Sequence, residues 1–220
     1  FTTDMLPEDD YRLKTTFAFE TFAFNEKKVN WGYYYQVPQN TLQINRGKIP
    51  GPENQMLFSD VALFSGVAQT DWTWGVDIVD LDNDGYKDLF MANGIFRDVT
   101  NQDYMDYLMM EDNIRKIIMG EKIDFPELIE KMPSTPLSNF VFHNNKDLTF
   151  INRSKEWGLE DPSFSSSLAY GDLDGDGDND LVINNVNQPA NVYRNEADSL
   201  ASNHYLQVKL TGTGLNSFAI

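Results

Sequence analysis

Cysteine is absent from the 220-residue chain. Its absence excludes disulfide bonds, thiolate metal sites and a cysteine nucleophile. Histidine is also scarce, since His143 and His204 are the only two. Neither histidine stands in a spacing that indicates a Ser-His-Asp set, so no catalytic residue is predicted. A chain without disulfides needs another form of bracing.

Lys and Arg are also scarce in the chain. The chain has 17 Lys and Arg against 34 Asp and Glu, which gives a formal net charge of −17. A phosphate backbone and an anionic membrane surface both attract basic residues, so the composition argues against nucleic acid and against membrane docking. The acidic excess favours solubility and the binding of cations. No apolar run is long enough to predict a membrane span.

An internal repeat is the strongest positive feature of the sequence. The stretch DLDNDGYKD at 80–88 returns as DLDGDGDND at 172–180, and the match continues on both sides at one offset. Upstream, TLQIN at 41–45 resembles FVFHN at 140–144, and a third partial copy, NVYRN, occupies 191–195. The basic period is about 50 residues, with the first interval lengthened by an insertion.

Each repeat reads as a set of short strands. The runs are rich in β-branched and aromatic residues and are bounded by Gly, Asn and Asp. The first repeat has LQIN, FSDVALF, GVDIVD and DLFMAN, and the second has FVFH, TFINRS, SLAYGD and DLVINN. Four strands in about 50 residues are typical of a propeller blade. We therefore predict an all-β fold, a β-propeller segment of four-stranded blades with Ca²⁺-binding loops, plus a short helical insertion.

The insertion has helical spacing. Residues 101–119 carry apolar side chains at helical intervals and predict one helix, and 125–132 predict a second, shorter one. We expect the insertion to pack on a sheet edge, although its Met-rich stripe could also bind a partner. The predicted caps and stops are Thr100 or Asn101 before the first helix, Gly120 after it, and Asp124 before the second.

Both aspartate stretches follow the pattern D-x-D-x-D-G-x-x-D. Side chains at positions 1, 3 and 5 can surround one point if the backbone turns sharply, and Gly at position 6 permits the turn. A carbonyl at position 7 and an Asp at position 9 complete a cage of hard oxygens, which suits Ca²⁺ better than Zn²⁺, copper or Mg²⁺. Two Ca²⁺ sites are predicted, with ligands Asp80, Asp82, Asp84, Tyr86 (carbonyl) and Asp88 in one loop and Asp172, Asp174, Asp176, Asp178 (carbonyl) and Asp180 in the other.

An EF-hand is excluded for these loops. Its bidentate Glu would fall at position 12, which is Met91 in one copy and Ile183 in the other. A solvated acidic turn is the alternative for a single loop, but two copies in one register favour metal sites. We expect a structural ion rather than a catalytic one, because the ion would offset repulsion among the four carboxylates of each loop.

Two aromatic clusters have no assigned role. These are WGYYY at 31–35 and WTW at 72–74. Such rings can form a platform on which sugars stack, or they can fill the core between blades, and the second interpretation is the more common.

The loops, the Gly-Val and Gly-Leu pairs at 66–67 and 158–159, and strands ending in Asn resemble the FG-GAP/VCBS repeats of integrin-α-like β-propellers. The resemblance covers most of 40–195. The opening, 3–14, looks like the tail of a preceding blade in large bacterial proteins of this kind, especially those of Bacteroidetes. The end, 203–220, is similar to the start of the ASPIC/UnbV domain of cartilage-acidic-protein-like members. The resemblance implies a segment of a longer, extracellular or outer-membrane-associated protein whose Ca²⁺ loops brace the blades.

The predicted function is a non-catalytic binding, adhesion or accessory module in a cell-surface complex, with a protein or glycan partner. The alternative is a polysaccharide lyase or hydrolase built on a Ca²⁺-loop propeller, although no general base is indicated by the spacing. The predicted segments are the end of a preceding blade and a connection at 1–39, a blade with the first loop at 40–98, the helical insertion at 99–137, a blade with the second loop at 138–190, the start of a next blade or a closing strand at 191–202, and the start of an ASPIC/UnbV-like β domain at 203–220.

Overall fold

The structure, a computed structural model, describes residues 1–16, 22–35, 37–50, 55–119, 124–200, 202–206 and 208–212. Within these ranges the strands are β1 (Gln43–Lys48), β2 (Met56–Asp60), β3 (Thr73–Val79), β4 (Asp88–Asn93), β5 (Phe140–Asn144), β6 (Phe150–Asn152), β7 (Ser165–Gly171), β8 (Asp180–Asn185) and β9 (Asn191–Tyr193). The helices are α1 (Asp10–Thr16), α2 (Phe22–Asn30), α3 (Ala62–Ser65), α4 (Gln102–Leu108), α5 (Glu111–Met119), α6 (Phe125–Lys131) and α7 (Ala197–Leu200).

The strands of the described residues form three antiparallel sheets, so the β-rich fold predicted from the sequence is confirmed. β1 pairs with β2, β3 to β6 form a four-stranded sheet in chain order, and β7 to β9 form a three-stranded sheet. The aspartate loops occupy equivalent places in the last two sheets, because one joins β3 to β4 and the other joins β7 to β8.

The four-stranded sheet lies between two apolar layers. In β4, Phe90 faces one layer while Leu89 and Met91 face the other, as the two-residue period of a strand requires. Phe90 packs with Leu181 and Ile183 of the three-stranded sheet. Leu89 and Met91 pack with α3 and the turn that follows it. The sheets therefore stack face to face, and β4 is buried along its whole length.

Buried polar contacts recur at equivalent positions of the two repeats. Thr73 Oγ1 donates to Asn93 Oδ1 across β3 and β4 at 2.6 Å, and Ser165 Oγ donates to Asn185 Oδ1 across β7 and β8 at 2.9 Å. All four side chains belong to buried residues. Because a buried polar group is costly without a partner, these pairs fix the strand register in both copies.

A predicted strand is replaced in part by α3. The run FSDVALF was predicted as one strand, but β2 ends at Asp60 and the chain turns there. The Asp60 Oδ1 accepts from the backbone N–H of Leu42 and of Ala62, both at 3.0 Å, which favours a turn over continued pairing. The helix ends at Gly66, whose φ of +78° is the left-handed conformation common at helix ends.

The prediction of one helix over 101–119 is wrong, because the helix breaks between α4 and α5. The Asn113 Nδ2 donates to the Tyr107 carbonyl at 2.7 Å and takes an acceptor that an unbroken helix would use internally. The cap at Asn101 is confirmed, since its side chain accepts from Tyr104 N. The predicted stop at Gly120 lies outside the described residues.

The second predicted helix of the insertion is confirmed as α6. Its predicted cap is confirmed too, because the Asp124 side chain accepts from Glu127 N at 3.3 Å. No helix of the described residues is both long enough and apolar enough to cross a membrane.

Helices α1 and α2 lie in a segment for which no helix was predicted. An ion triad joins α1 to the sheet region, because Arg12 contacts Asp71 and Asp98 at 2.9 and 3.0 Å. The side chains are only 13%, 11% and 2% exposed. Hydrogen bonding to Asp71 raises the pKa of Arg12, burial lowers it, and the net direction is upward. The N-terminal segment is thus held by a charge network that would be costly to break.

The sheets do not follow the predicted blade boundaries. The four-stranded sheet takes β3 and β4 from segment 40–98 and β5 and β6 from segment 138–190, so it joins strands of two predicted segments. β4 pairs with β5 across the whole helical insertion, with Leu89 opposite Phe142. In the last segment the described residues 203–206 and 208–212 contain no strand, and the ASPIC/UnbV-like domain stays a prediction.

Gly94→Ala is expected to destabilise the protein by about 3 kcal/mol through overpacking and backbone strain. Gly94 has a φ of +150°, and a Cβ there would lie 2.6 Å from the Phe164 Cα of the neighbouring chain segment. The matched control is Gly171→Ala, because a Cβ at Gly171 meets nothing within 4 Å. Urea unfolding of the two variants measures the difference, and equal midpoints would contradict the packing argument.

Candidate metal centres

The two aspartate loops lie side by side. The Asn83 side chain of the first loop donates to the Gly177 carbonyl of the second at 3.3 Å. In return, the Asn179 side chain of the second loop donates to the Asp80 carbonyl at 3.4 Å. The stacking of β3 against β7 brings the two loops to the same end of their sheets. The repeat therefore places two acidic clusters next to each other.

The two loops share one backbone conformation. Position 6 has a φ of +87° at Gly85 and +93° at Gly177, as the sequence predicted. Position 4 is also left-handed, with +55° at Asn83 and +82° at Gly175. Asn and Gly are the residues that adopt this region at the lowest cost. Asn or Gly at position 4 is therefore a sequence signal of this loop conformation, in addition to the Gly at position 6.

The aspartate at position 1 of each loop accepts hydrogen bonds from the backbone of the same loop. The Asp80 carboxylate accepts from Asp84 N at 3.1 Å and from Gly85 N at 2.9 Å. In the second loop the Asp172 carboxylate accepts from Gly175 N at 2.6 Å and from Gly177 N at 3.2 Å. The carboxylate at position 1 therefore holds the turn closed whether or not an ion is present.

The aspartates at position 9, Asp88 and Asp180, are called the loop-closing aspartates below. Both are buried, at 0% and 2% exposure. Asp88 accepts from Leu81 N at 3.1 Å and from Asn144 N at 3.0 Å, so one carboxylate joins the start of the loop to β5. Asp180 makes the two equivalent bonds, both at 2.8 Å. Their backbone partners are the final Asn of FVFHN, which lies in β5, and the final Asn of NVYRN, which follows β9.

Among the residues that the structure describes, four groups of side chains bring ligand atoms within 4.8 Å of one another and could hold a metal ion. The predicted aspartate ligands of each loop do not form a single set, because they divide between two groups. In each loop one of the two groups also includes a residue that was not predicted, His143 in the first loop and Asp198 in the second. The groups are Asp80, Asp82 and Asp84; Asp82, Asp88 and His143; Asp172, Asp174 and Asp180; and Asp176, Asp178 and Asp198.

Side chains of Lys, Arg and His reach into the two loops. The Lys146 Nζ lies 2.8 Å from Asp84 Oδ2, and the His143 Nδ1 lies 3.3 Å from Asp88 Oδ1. In the second loop the Arg194 Nε lies 2.9 Å from Asp174 Oδ2. Sequence reasoning missed these residues. A signal was present, since His143 and Arg194 occupy the same place in FVFHN and NVYRN.

Asp82, Asp84 and Asp88 of the first loop have shifted pKa values. Burial raises the pKa of Asp82, and the neighbouring Asp84 carboxylate raises it further. Burial also raises the pKa of Asp88 against the effect of its two backbone donors. At Asp84 burial raises the pKa, but the hydrogen bond from Lys146 and the other donors lower it more, so the net pKa is lowered. The carboxylates of Asp82 and Asp88 thus lack sufficient positive charge nearby.

Position 7 differs between the loops. Tyr86 is 47% exposed, and its ring lies 4.8 Å from the Lys146 Nζ. Asp178 is 1% exposed, and its Oδ2 accepts from Asp198 N at 3.1 Å. Only a backbone carbonyl was predicted as a ligand at this position, so the buried carboxylate of Asp178 is an additional feature of the second loop.

A cavity of about 430 Å³ opens beside the two loops. Leu81 and Asp82 of the first loop, Arg194 after β9, and Ala197 and Leu200 of α7 contribute to its wall. The wall is mixed, with apolar side chains beside charged ones. The segment after β9 is therefore part of the surface around the loops.

The aromatic cluster at 31–35 lies on the surface. Trp31, Tyr33, Tyr34 and Tyr35 are between 58% and 84% exposed. These rings fill no core among the described residues, because more than half of each is exposed. The rings are available for contacts with a partner.

The fold and the loops define a β-rich protein with paired aspartate loops that could hold metal ions. The chain matches no protein-family model, and a search of curated proteins finds no significant match. The FG-GAP/VCBS resemblance stays a prediction that rests on the repeat and its loops.

Asp88→Asn and Asp82→Asn should separate the structural role of these carboxylates from ion binding. In excess chelator, Asp88→Asn should lower the free energy of unfolding by about 2 kcal/mol. The reason is that the amide cannot accept from both Leu81 N and Asn144 N. Asp82→Asn should be neutral or stabilising at pH 7, because the folded-state pKa of Asp82 is raised and its ionised form therefore disfavours folding. The stability difference between Asp82→Asn and the wild type should vanish once the pH falls below the pKa of Asp82 in the unfolded state, because Asp82 is then protonated in both states. Urea unfolding at pH 7 and pH 3 tests the ranking, and a larger loss for Asp82→Asn at pH 7 would refute it.

Proposed function

We propose that the chain is a Ca²⁺-stabilised β-propeller segment of a secreted or cell-surface protein, with a non-catalytic binding or accessory role. The observation that carries the proposal is the pair of loops with one backbone conformation and one set of carboxylate positions. Two such loops at the same end of stacked sheets are difficult to explain as solvated turns. The proposal agrees with the resemblance drawn from the sequence.

Calcium is proposed because of the donor chemistry. Each loop offers several carboxylate oxygens, and Ca²⁺ accepts six to eight oxygen ligands in a flexible geometry. The lysine and arginine contacts supply only part of the charge the loops need, as the raised pKa values of Asp82 and Asp88 indicate. An ion in each loop would turn carboxylate repulsion into attraction between the strands that flank the loop.

The propeller is proposed from the packing of the sheets. The four-stranded sheet β3 to β6 packs face to face against the sheet β7 to β9. β3 lies against β7, so the strands that enter the two aspartate loops are neighbours. β5 and β6 of the second repeat complete the sheet that β3 and β4 of the first repeat begin, so this sheet links the two repeats. Face-to-face sheets repeated along a chain are the plan of a propeller.

Calcium should stabilise the protein measurably. At a Ca²⁺ concentration of 100 times Kd, each independent site should add about 2.7 kcal/mol to the free energy of unfolding. Asp80→Asn combined with Asp172→Asn should remove most of this gain, whereas Asp161→Asn, outside both loops, should retain it. Thermal unfolding in Ca²⁺ and in chelator measures the effect. An unchanged melting temperature in the wild type would end the proposal.

A binding role is supported by the exposed aromatic cluster. Exposed Tyr and Trp rings are enriched where proteins contact partners, because each ring gives a large apolar area at little conformational cost. With a net charge of −17, the chain repels acidic polymers. A neutral glycan is therefore the glycan partner that the charge favours.

Trp31→Ala combined with Tyr34→Ala should abolish binding to a neutral glycan. Affinity electrophoresis through gels that contain neutral or acidic polysaccharides measures binding as retardation. The matched control is Tyr170→Ala, which removes an exposed aromatic ring (48%) from β7. Retardation that survives in the double variant would contradict a role for the cluster. If no polysaccharide retards the wild type, glycan binding is refuted and a protein partner remains.

A further inference from the structure

The carboxylate of Asp178 is buried with one oxygen unsatisfied. The residue is 1% exposed, and its Oδ2 accepts from Asp198 N at 3.1 Å. Its Oδ1 is out of contact with solvent and has no hydrogen-bond partner among the described residues. A buried ionised oxygen without a donor is costly, and an ion is one of the few features that explain it.

The surroundings of Asp178 are acidic. Asp176, Asp178 and Asp198 each place a carboxylate oxygen within 4.8 Å of the other two. Arg194 contacts Asp176 Oδ2 at 3.2 Å, but no ion pair reaches Asp178 or Asp198 in the part of the chain that the structure describes. Burial raises the pKa of Asp178, and the Asp176 carboxylate raises it further. Three carboxylates therefore lie close together, and Arg194 contacts one of them, that of Asp176.

We propose that Asp176, Asp178 and Asp198 bind a hard divalent cation, a third site beside the two loop sites of the proposed function. Oxygens that share a Ca²⁺ or Mg²⁺ ion lie about 2.0–2.6 Å from it, so two of them are separated by at most about 5 Å. The observed spacing meets this limit. Asp176 has two carboxylate oxygens and can contribute one to the loop site and one to this site. Water would complete the coordination, because Asp198 is exposed.

The first repeat provides an internal comparison. Tyr86 stands at the place of Asp178 and offers no side-chain carboxylate. Asp147 stands at the place of Asp198, three residues after the closing Asn, but it instead accepts from Thr149 N at 3.0 Å. The first loop therefore lacks the buried acid that defines the third site. The site is a property of the second repeat alone.

The proposed ion would fix the chain after β9. Asp198 lies in α7, and Ala197 and Leu200 of the same helix line the cavity beside the loops. One ion would tie this helix to the second aspartate loop. The wall of the cavity would then depend on the cation, which is a consequence beyond the bracing of strands.

Counting bound ions tests the third site. The wild type, equilibrated with saturating Ca²⁺ and separated from free metal by dialysis, should hold three Ca²⁺ ions per chain by elemental analysis. Asp198→Asn should hold two, and it should fold normally because Asp198 is exposed and its N–H is retained. Asp178→Asn should also lose one ion. Asp147→Asn, the matched control, should keep three. Far-UV circular dichroism verifies the fold of each variant.

The outcomes separate this site from the loop sites. Equal ion counts in the wild type and Asp198→Asn overturn the third site, and a count of two in both leaves the proposed function intact. A wild type with one ion, lost in Asp198→Asn, supports the third site and refutes the loop sites. A wild type without bound ions overturns both.

Discussion

The loop-closing aspartates are the constraint on which the rest of the structure depends. Asp88 joins the beginning of its aspartate loop to β5, and Asp180 joins the beginning of its loop to Asn195, just after β9, each with both carboxylate oxygens. Both aspartates are buried, where a lost acceptor would leave an N–H group unsatisfied. The hairpin, the loop and the next strand are therefore one cooperative unit, and the acidic side chains keep their positions because the backbone holds them there.

The same arrangement gathers negative charge that the fold alone does not balance. Lys146, His143 and Arg194 approach the carboxylates from outside, yet several buried carboxyl groups keep raised pKa values. A divalent cation is the partner that satisfies many carboxylate oxygens at once. The proposed ions would therefore contribute both stability and order, and they would take the bracing role that disulfides fill in other proteins.

Local patterns predicted the strands well. The runs that became β3, β4, β7 and β8, and the hairpins between them, follow from apolar residues bounded by Asp, Asn and Gly. The sheet that β4 forms with β5 was not predicted, because the two strands pair across the helical insertion. The break between α4 and α5 was missed as well, since it depends on one side-chain bond from Asn113 that competes with the helix.

The sequence by itself determined the acidic positions and the turns of the loops, because ligand spacing and left-handed residues are local properties of a short segment. Only the tertiary structure decided which groups meet around them. His143, Arg194 and Asp198 come from outside the loops, and strand pairing and the turn after β9 bring them to the carboxylates. Burial was decided in the same way: Asp178 is enclosed while Tyr86, at the same repeat position, stays at the surface. The physical reason is that charge neighbours and solvent access depend on contacts between distant segments.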